Sequence, residues 1–154
     1  MDSNEDLLRP SLSGERPAAP IFSTRAQFLT AFFGGGFAAL AIGTANSFRL
    51  GRLGRDLPVV LALAAAYFGY LYSLVATPLG RSAVAFLGLR PTSVPVRLGG
   101  LAVFAILYLL HRTALRSAAL TGEPPANPWI TAIACMVAGG VIDWWLTHAL
   151  ATPG

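Results

Sequence analysis

The sequence predicts an all-α fold: an integral membrane bundle of four transmembrane helices. Three observations predict it. The chain has 154 residues, of which 55% are hydrophobic and only 12% charged, whereas soluble domains carry about a quarter charged residues. The apolar residues fall in blocks of roughly 20, the length that crosses a hydrocarbon core. The mean hydropathy is +0.61, and helices that are apolar on every side belong in buried or membrane settings.

The elements follow in order. Residues 1–24 read as a disordered, acidic and proline-rich tail, with Pro10, Gly14, Pro17 and Pro20 opposing helix and little to bury. A signal-peptide reading of this end is disfavoured, because the apolar run after Arg25 is too long and the tail too acidic. Residues 25–154 form the transmembrane helical domain. The first span is expected over 26–48. The second covers 57–79, with Pro58 in its first turn, where proline is tolerated. The patch 82–89 is too short to cross and is expected along the interface. The third span, 97–116, has an unbroken apolar run of only 13 residues from Leu98 to Leu110. It crosses if Arg97 and Arg112 snorkel outward. The fourth covers 128–151, with Trp129 near one end and Trp144 and Trp145 towards the other as interfacial anchors.

All eleven basic residues are arginine, and the formal net charge is +4. They are scattered over the hydrophilic breaks, without the concentrated basic footprint of a nucleic-acid site. Arg49, Arg52 and Arg55 crowd the first connection, which places loops one and three in the cytoplasm and both termini outside. The lone Cys135 excludes an intrachain disulfide, and no Cys/His spacing suggests a metal.

Small residues four apart share a helical face and let membrane helices approach closely. Gly35, Ala39, Gly43 and Ser47 form such a stripe in the first span. Ala65, Gly69, Ser73 and Thr77 form one in the second, and Cys135, Gly139, Asp143 and Thr147 one in the fourth. The stripes predict close packing with other helices, of this chain or of a partner.

Asp143 stands inside the fourth span. A carboxyl group there is costly and is expected to face protein or water, with Arg97 or Arg81 as counter-ion. Asn46 is expected to cap the end of the first span. His111 and His148 end spans three and four on opposite membrane faces, so both read as interfacial. No catalytic, cofactor-binding or metal motif emerges: there is no nucleophile elbow, zinc motif or phosphate loop.

The stretch "FFGGGFAALAIGTANSFRLGR" resembles the opening of a family of small multi-span bacterial inner-membrane proteins of uncharacterised function. In that family a glycine pair early in span one is followed by an asparagine, an aromatic and a basic residue. The matching positions are Gly34, Gly35, Asn46, Phe48 and Arg49; Gly36 stands where proline often follows the pair. "GEPPANPW" (122–129) is similar to that family's polar stretch before its last span. The resemblance implies a bacterial inner membrane and carries no activity.

Two functions are expected from these features. The first is a non-enzymatic structural or accessory subunit whose partners are the lipid bilayer and other membrane helices. The alternative is a small transporter or channel component in which Asp143 lines a polar path.

Overall fold

A computed structural model describes residues 20–88, 94–120 and 126–151. The tail up to residue 19, most of "RPTSVP" and the first half of "GEPPANPW" lie outside the described residues. The elements are α1 (Thr24–Arg49), α2 (Leu53–Ala76), α3 (Pro78–Phe86), α4 (Val94–Leu120) and α5 (Trp129–Ala151), with no strand among the described residues. Four of them, all but α3, are long and apolar enough to cross a membrane. The chain is an all-α bundle and a multi-pass membrane protein.

The first element differs from a straight rod. Gly35 has φ 75° and ψ −164°, far outside the helical region. The backbone there turns back on itself. If α1 were straight, residues 22 and 46 would lie about 36 Å apart by helix rise. They touch instead. The Phe22 N–H donates to Asn46 Oδ1 at 2.8 Å, and Asn46 Nδ2 donates back to the Phe22 carbonyl at 3.4 Å. Arg49 donates to the Pro20 carbonyl and lays its guanidinium 4.2 Å above the Phe22 ring. Phe22 and Ile42 share one apolar cluster with Ala132. α1 is therefore a helical hairpin with arms 24–34 and 36–49, tip at Gly34–Gly36 and both feet at one end of the bundle.

That end, the base, also holds the start of α2, the end of α4 and the start of α5. The Ala126 N–H donates to the Ile21 carbonyl, and Ser47, Asp56 and His111 meet there. α2 then runs to the far end. Thr77 terminates it and caps α3 by accepting from the Gly80 N–H at 3.1 Å, with Pro78 in the first turn. α3 leaves Leu79 and Phe86 85% and 90% exposed, as suits a short helix lying along an interface. α4 returns to the base, and α5 runs out again.

The hairpin occupies the middle of the bundle. In its most apolar stretch 56% of the residues are buried, against 22–33% in the other three long helices. This follows from lipid physics: a turn inside hydrocarbon leaves backbone groups unpaired, and it persists only where protein covers it. α2, α4 and α5 form the wall. They turn Leu61, Leu109, Val137 and Val141 outward, as lipid-facing side chains do. The inner faces of α2 and α4 meet the hairpin through Val60, Tyr67, Leu71, Val103 and Leu107, and that of α5 through Ala132.

Several boundaries shift from the expected ones. α2 begins at Leu53, so Pro58 lies one turn inside the helix rather than at its start. α4 spans 27 residues and carries His111 well within it, not at its end.

Candidate functional site

The tip of the hairpin is built from glycines of three helices. A Cβ on Gly34 would approach Met136 Cα of α5 to 2.7 Å. One on Gly36 would enter the Tyr67 ring of α2. One on Gly100 of α4 would lie 2.8 Å from the Ala31 carbonyl oxygen and the Gly35 carbonyl carbon, and one on Gly139 would strike Ala38. Gly35 has a second reason to be glycine, since its φ and ψ belong to a region that side-chain-bearing residues hardly enter.

Asp143 faces this tip. Its carboxyl lies directly where a Gly35 side chain would be, and it is only 4% exposed. The Tyr67 hydroxyl and the Gly36 amide are the polar groups turned towards it. Both lie within reach of the carboxyl, but neither is aligned for a well-formed hydrogen bond, so the Asp143 oxygens and the Tyr67 hydroxyl are buried without a well-aligned partner. The second arm starts at Gly36, so its N-terminal end points at Asp143. The free N–H groups and the dipole of a helix start favour an anion there.

A cleft of about 300 Å³ opens beside the carboxyl, between the hairpin tip, α4 and α5. Asp143, Arg97, Gly35, Phe33 and Trp144 line it. Arg97 shares the cleft with Asp143 but forms no ion pair with it; its guanidinium sits 5.1 Å from the Phe32 ring centre. The expected counter-ion is thus placed near its partner without pairing. The helix start supplies part of the compensation that a salt bridge was expected to supply. Arg81 lies exposed on α3.

A second polar cluster ties the base together. Ser47 Oγ lies 2.9 Å from His111 Nε2, and Asp56 Oδ2 lies 3.3 Å from the same nitrogen. The three side chains are at most 2% exposed. Arg55, itself exposed, approaches Asp56 Oδ1 at 3.9 Å. These residue types suggest a catalytic triad, but the geometry opposes it. A triad needs the acid on one ring nitrogen and the nucleophile on the other. Here both use Nε2, and Nδ1 is buried without a partner. Burial also denies a substrate access to Ser47. The cluster joins three helices, α1, α2 and α4.

The remaining expected positions are distributed as follows. Gly35, Ala39, Gly43 and Ser47 are all buried, as are Gly139, Asp143 and Thr147. A Cβ on Gly43 would lie 2.6 Å from Leu107 Cδ1. The stripe on α2 faces the other way: Ala65, Gly69 and Ser73 are exposed, and nothing lies within 4 Å of a Cβ on Gly69. The buried face of α2 runs instead through Val60, Tyr67, Leu71 and Val75. Asn46 does not cap its own helix with its side chain; it bonds the Phe22 backbone across the hairpin. His111 is a buried cluster member rather than an interfacial residue. His148 is exposed and lies against Trp144, with ring centres 4.4 Å apart and planes tilted by 36°.

Sequence reasoning missed Asp56, His111 and Ser47 as a group. One signal pointed to them: the end of span one, the start of span two and the end of span three all lie at the same end of the bundle. Comparisons with protein families, with curated proteins and with solved structures found no match to this chain.

Proposed function

We propose that the protein is a small transporter component in which Asp143 lines the path of a small polar solute. One observation carries this reading. A half-helix starts deep in the bundle and points at a buried carboxyl group that lacks a well-aligned hydrogen-bond partner, beside an open cleft. Broken helices whose ends line a cavity are a recurrent way of building solute sites in membrane transporters. A purely structural aspartate would be expected to hold a complete set of hydrogen bonds.

The fold also bears on orientation. With α1 folded back, Arg25 joins Arg49, Arg52, Arg55, Arg112 and Arg116 at the base, against Arg81 and Arg97 among the described arginines at the far end. Six against two is a clear positive-inside bias. We place the base in the cytoplasm of a bacterial inner membrane. Loops one and three remain cytoplasmic. Residues 20–24 come to that side as well, because the hairpin returns to the face it entered, and the end of α5 is outside.

The test is reconstitution. Purified protein in proteoliposomes is expected to pass protons, or radiolabelled glycine or ethanolamine, faster than empty vesicles. Asp143→Asn is expected to abolish the difference. Equal flux with and without protein for all three probes, or unchanged flux in the variant, would rule the reading out.

A further inference from the structure

An acidic and a basic side chain border the cleft without pairing with each other. Asp143 is sunk against the hairpin tip, with neither oxygen in a well-aligned hydrogen bond. Arg97 is held by the Phe32 ring and leaves its N–H groups available at the rim. Between them lies room for a small molecule, at the lower end of the size range of ligand pockets. Trp144 and Phe33, 57% and 63% exposed, flank the opening with aromatic surface.

We propose that this cleft binds a small zwitterion, with its ammonium group on Asp143 and its carboxylate or phosphate on Arg97.

Charge decides between the alternatives. A bare cation would satisfy Asp143 and leave Arg97 facing a like charge. A bare anion would satisfy Arg97 and meet Asp143 with the wrong sign. A molecule carrying both charges satisfies both, and each contact is a charge-assisted hydrogen bond of the stronger kind. The guanidinium suits a carboxylate or a phosphate equally, because its planar fork engages two oxygens at once. Free amino acids and the headgroup of an aminophospholipid share this chemistry. The aromatic flanks suit either one, since an ammonium entering the site passes over ring faces. The inference deepens the transport reading by naming its solute class, and it rests on that reading only for what happens after binding.

Calorimetry on the purified full-length chain in detergent tests it. The probes are glycine, β-alanine and phosphoethanolamine, with ethylamine, acetate and inorganic phosphate as singly charged controls. At least one zwitterion is expected to bind about 10-fold more tightly than any control, one charge-assisted contact being worth roughly that factor. Asp143→Asn and Arg97→Gln are each expected to lower its affinity about 10-fold, with thermal midpoints recorded to show that the variants stay folded. Arg97 is exposed, so its variant carries the test even if the Asp143 variant unfolds. A parallel arm uses nanodiscs of phosphatidylcholine with or without phosphatidylethanolamine. Stabilisation by the aminophospholipid alone identifies a headgroup as the source, and binding of glycine or β-alanine identifies a free solute. Ethylamine binding as tightly as the best zwitterion overturns the proposal, as does an Arg97→Gln variant with unchanged affinity. So does the absence of any response in both arms. Flux of a singly charged ion that depends on Asp143, without zwitterion preference, would sink this inference and leave the transport reading standing. Zwitterion binding without flux would do the reverse.

Discussion

Replacing Gly35 by alanine separates a hairpin from a straight helix by the sign of its effect. In a straight helix, glycine to alanine is stabilising by about 0.8–1 kcal/mol, because alanine loses less backbone freedom. In the hairpin two penalties replace that gain. The φ of 75° and ψ of −164° at this position cost a side-chain-bearing residue about 1–3 kcal/mol. The new methyl group would also displace the Asp143 carboxyl and stand 3.1 Å from Val96 Cγ1. Overpacking of that kind adds about 1–3 kcal/mol. The two together predict a loss of about 2–6 kcal/mol. Gly51 supplies the control: its φ is 67°, but nothing lies within 4 Å of its Cβ. Gly51→Ala therefore carries only the backbone cost of about 1–2 kcal/mol. Reversible unfolding in mixed micelles, followed by circular dichroism against the mole fraction of SDS, measures all three proteins. A Gly35→Ala variant as stable as the parent, or more so, would refute the fold-back and everything built on it.

Other outcomes follow from the same geometry. Spin labels at positions 24 and 48, in a chain with Cys135 replaced by alanine, are expected within about 20 Å of each other, against about 36 Å along a straight helix. Pulsed electron–electron resonance reads this directly. His111→Ala is expected to cost about 2–4 kcal/mol, because it leaves Asp56 buried without its partner. A double-mutant cycle with Asp56→Asn should return a coupling above about 1 kcal/mol, and an additive cycle would show that the base cluster is not cooperative. Gly69→Leu is expected to change stability by less than about 0.5 kcal/mol in the same SDS titration, since its site is open. A large loss there would mean that the α2 stripe is buried in an assembly.

Much of the fold was legible because bilayer thickness and apolar block length are linked by simple geometry. Each long helix could be read from its run of apolar residues and the breaks around it, whereas the short helix at 78–86 overlaps the interfacial patch expected at 82–89 only in part. The burial of Gly139, Asp143 and Thr147 on one face of α5 followed from their spacing. The turn at Gly35 did not. Three glycines in an apolar run fit both a smooth packing surface and a reversal, and hydropathy is blind to the difference. A 26-residue helix has the length to cross once or to go in and out, and nothing local decides which. The decision lies in contacts 24 residues apart, Phe22 with Asn46, and those depend on the whole bundle. The α2 stripe misled for a related reason. Small residues at four-residue spacing occur on lipid-facing surfaces as well as packed ones, and the aromatic Tyr67 set the buried face of α2 instead. Asp56 drew no notice because a carboxyl near a helix start is ordinary. Only the return of α4 past it makes it part of a buried cluster.

The central position of the hairpin has a consequence for how the chain is made. α1 leaves the ribosome before α4 and α5, and it is the long helix with least surface suited to lipid. Its tip needs Gly100 of α4 and Gly139 of α5 against it, and neither exists until most of the chain has been synthesised. α1 must therefore wait, shielded or lying shallow, for α4 and α5 to seat it. A chain cut short before α5 would leave the hairpin with no wall on one side and Asn46, Ser47 and the glycine tip open to hydrocarbon. In the cell such a fragment should be recognised by membrane quality control and degraded. Completion of α5 then acts as the checkpoint for assembly of α1.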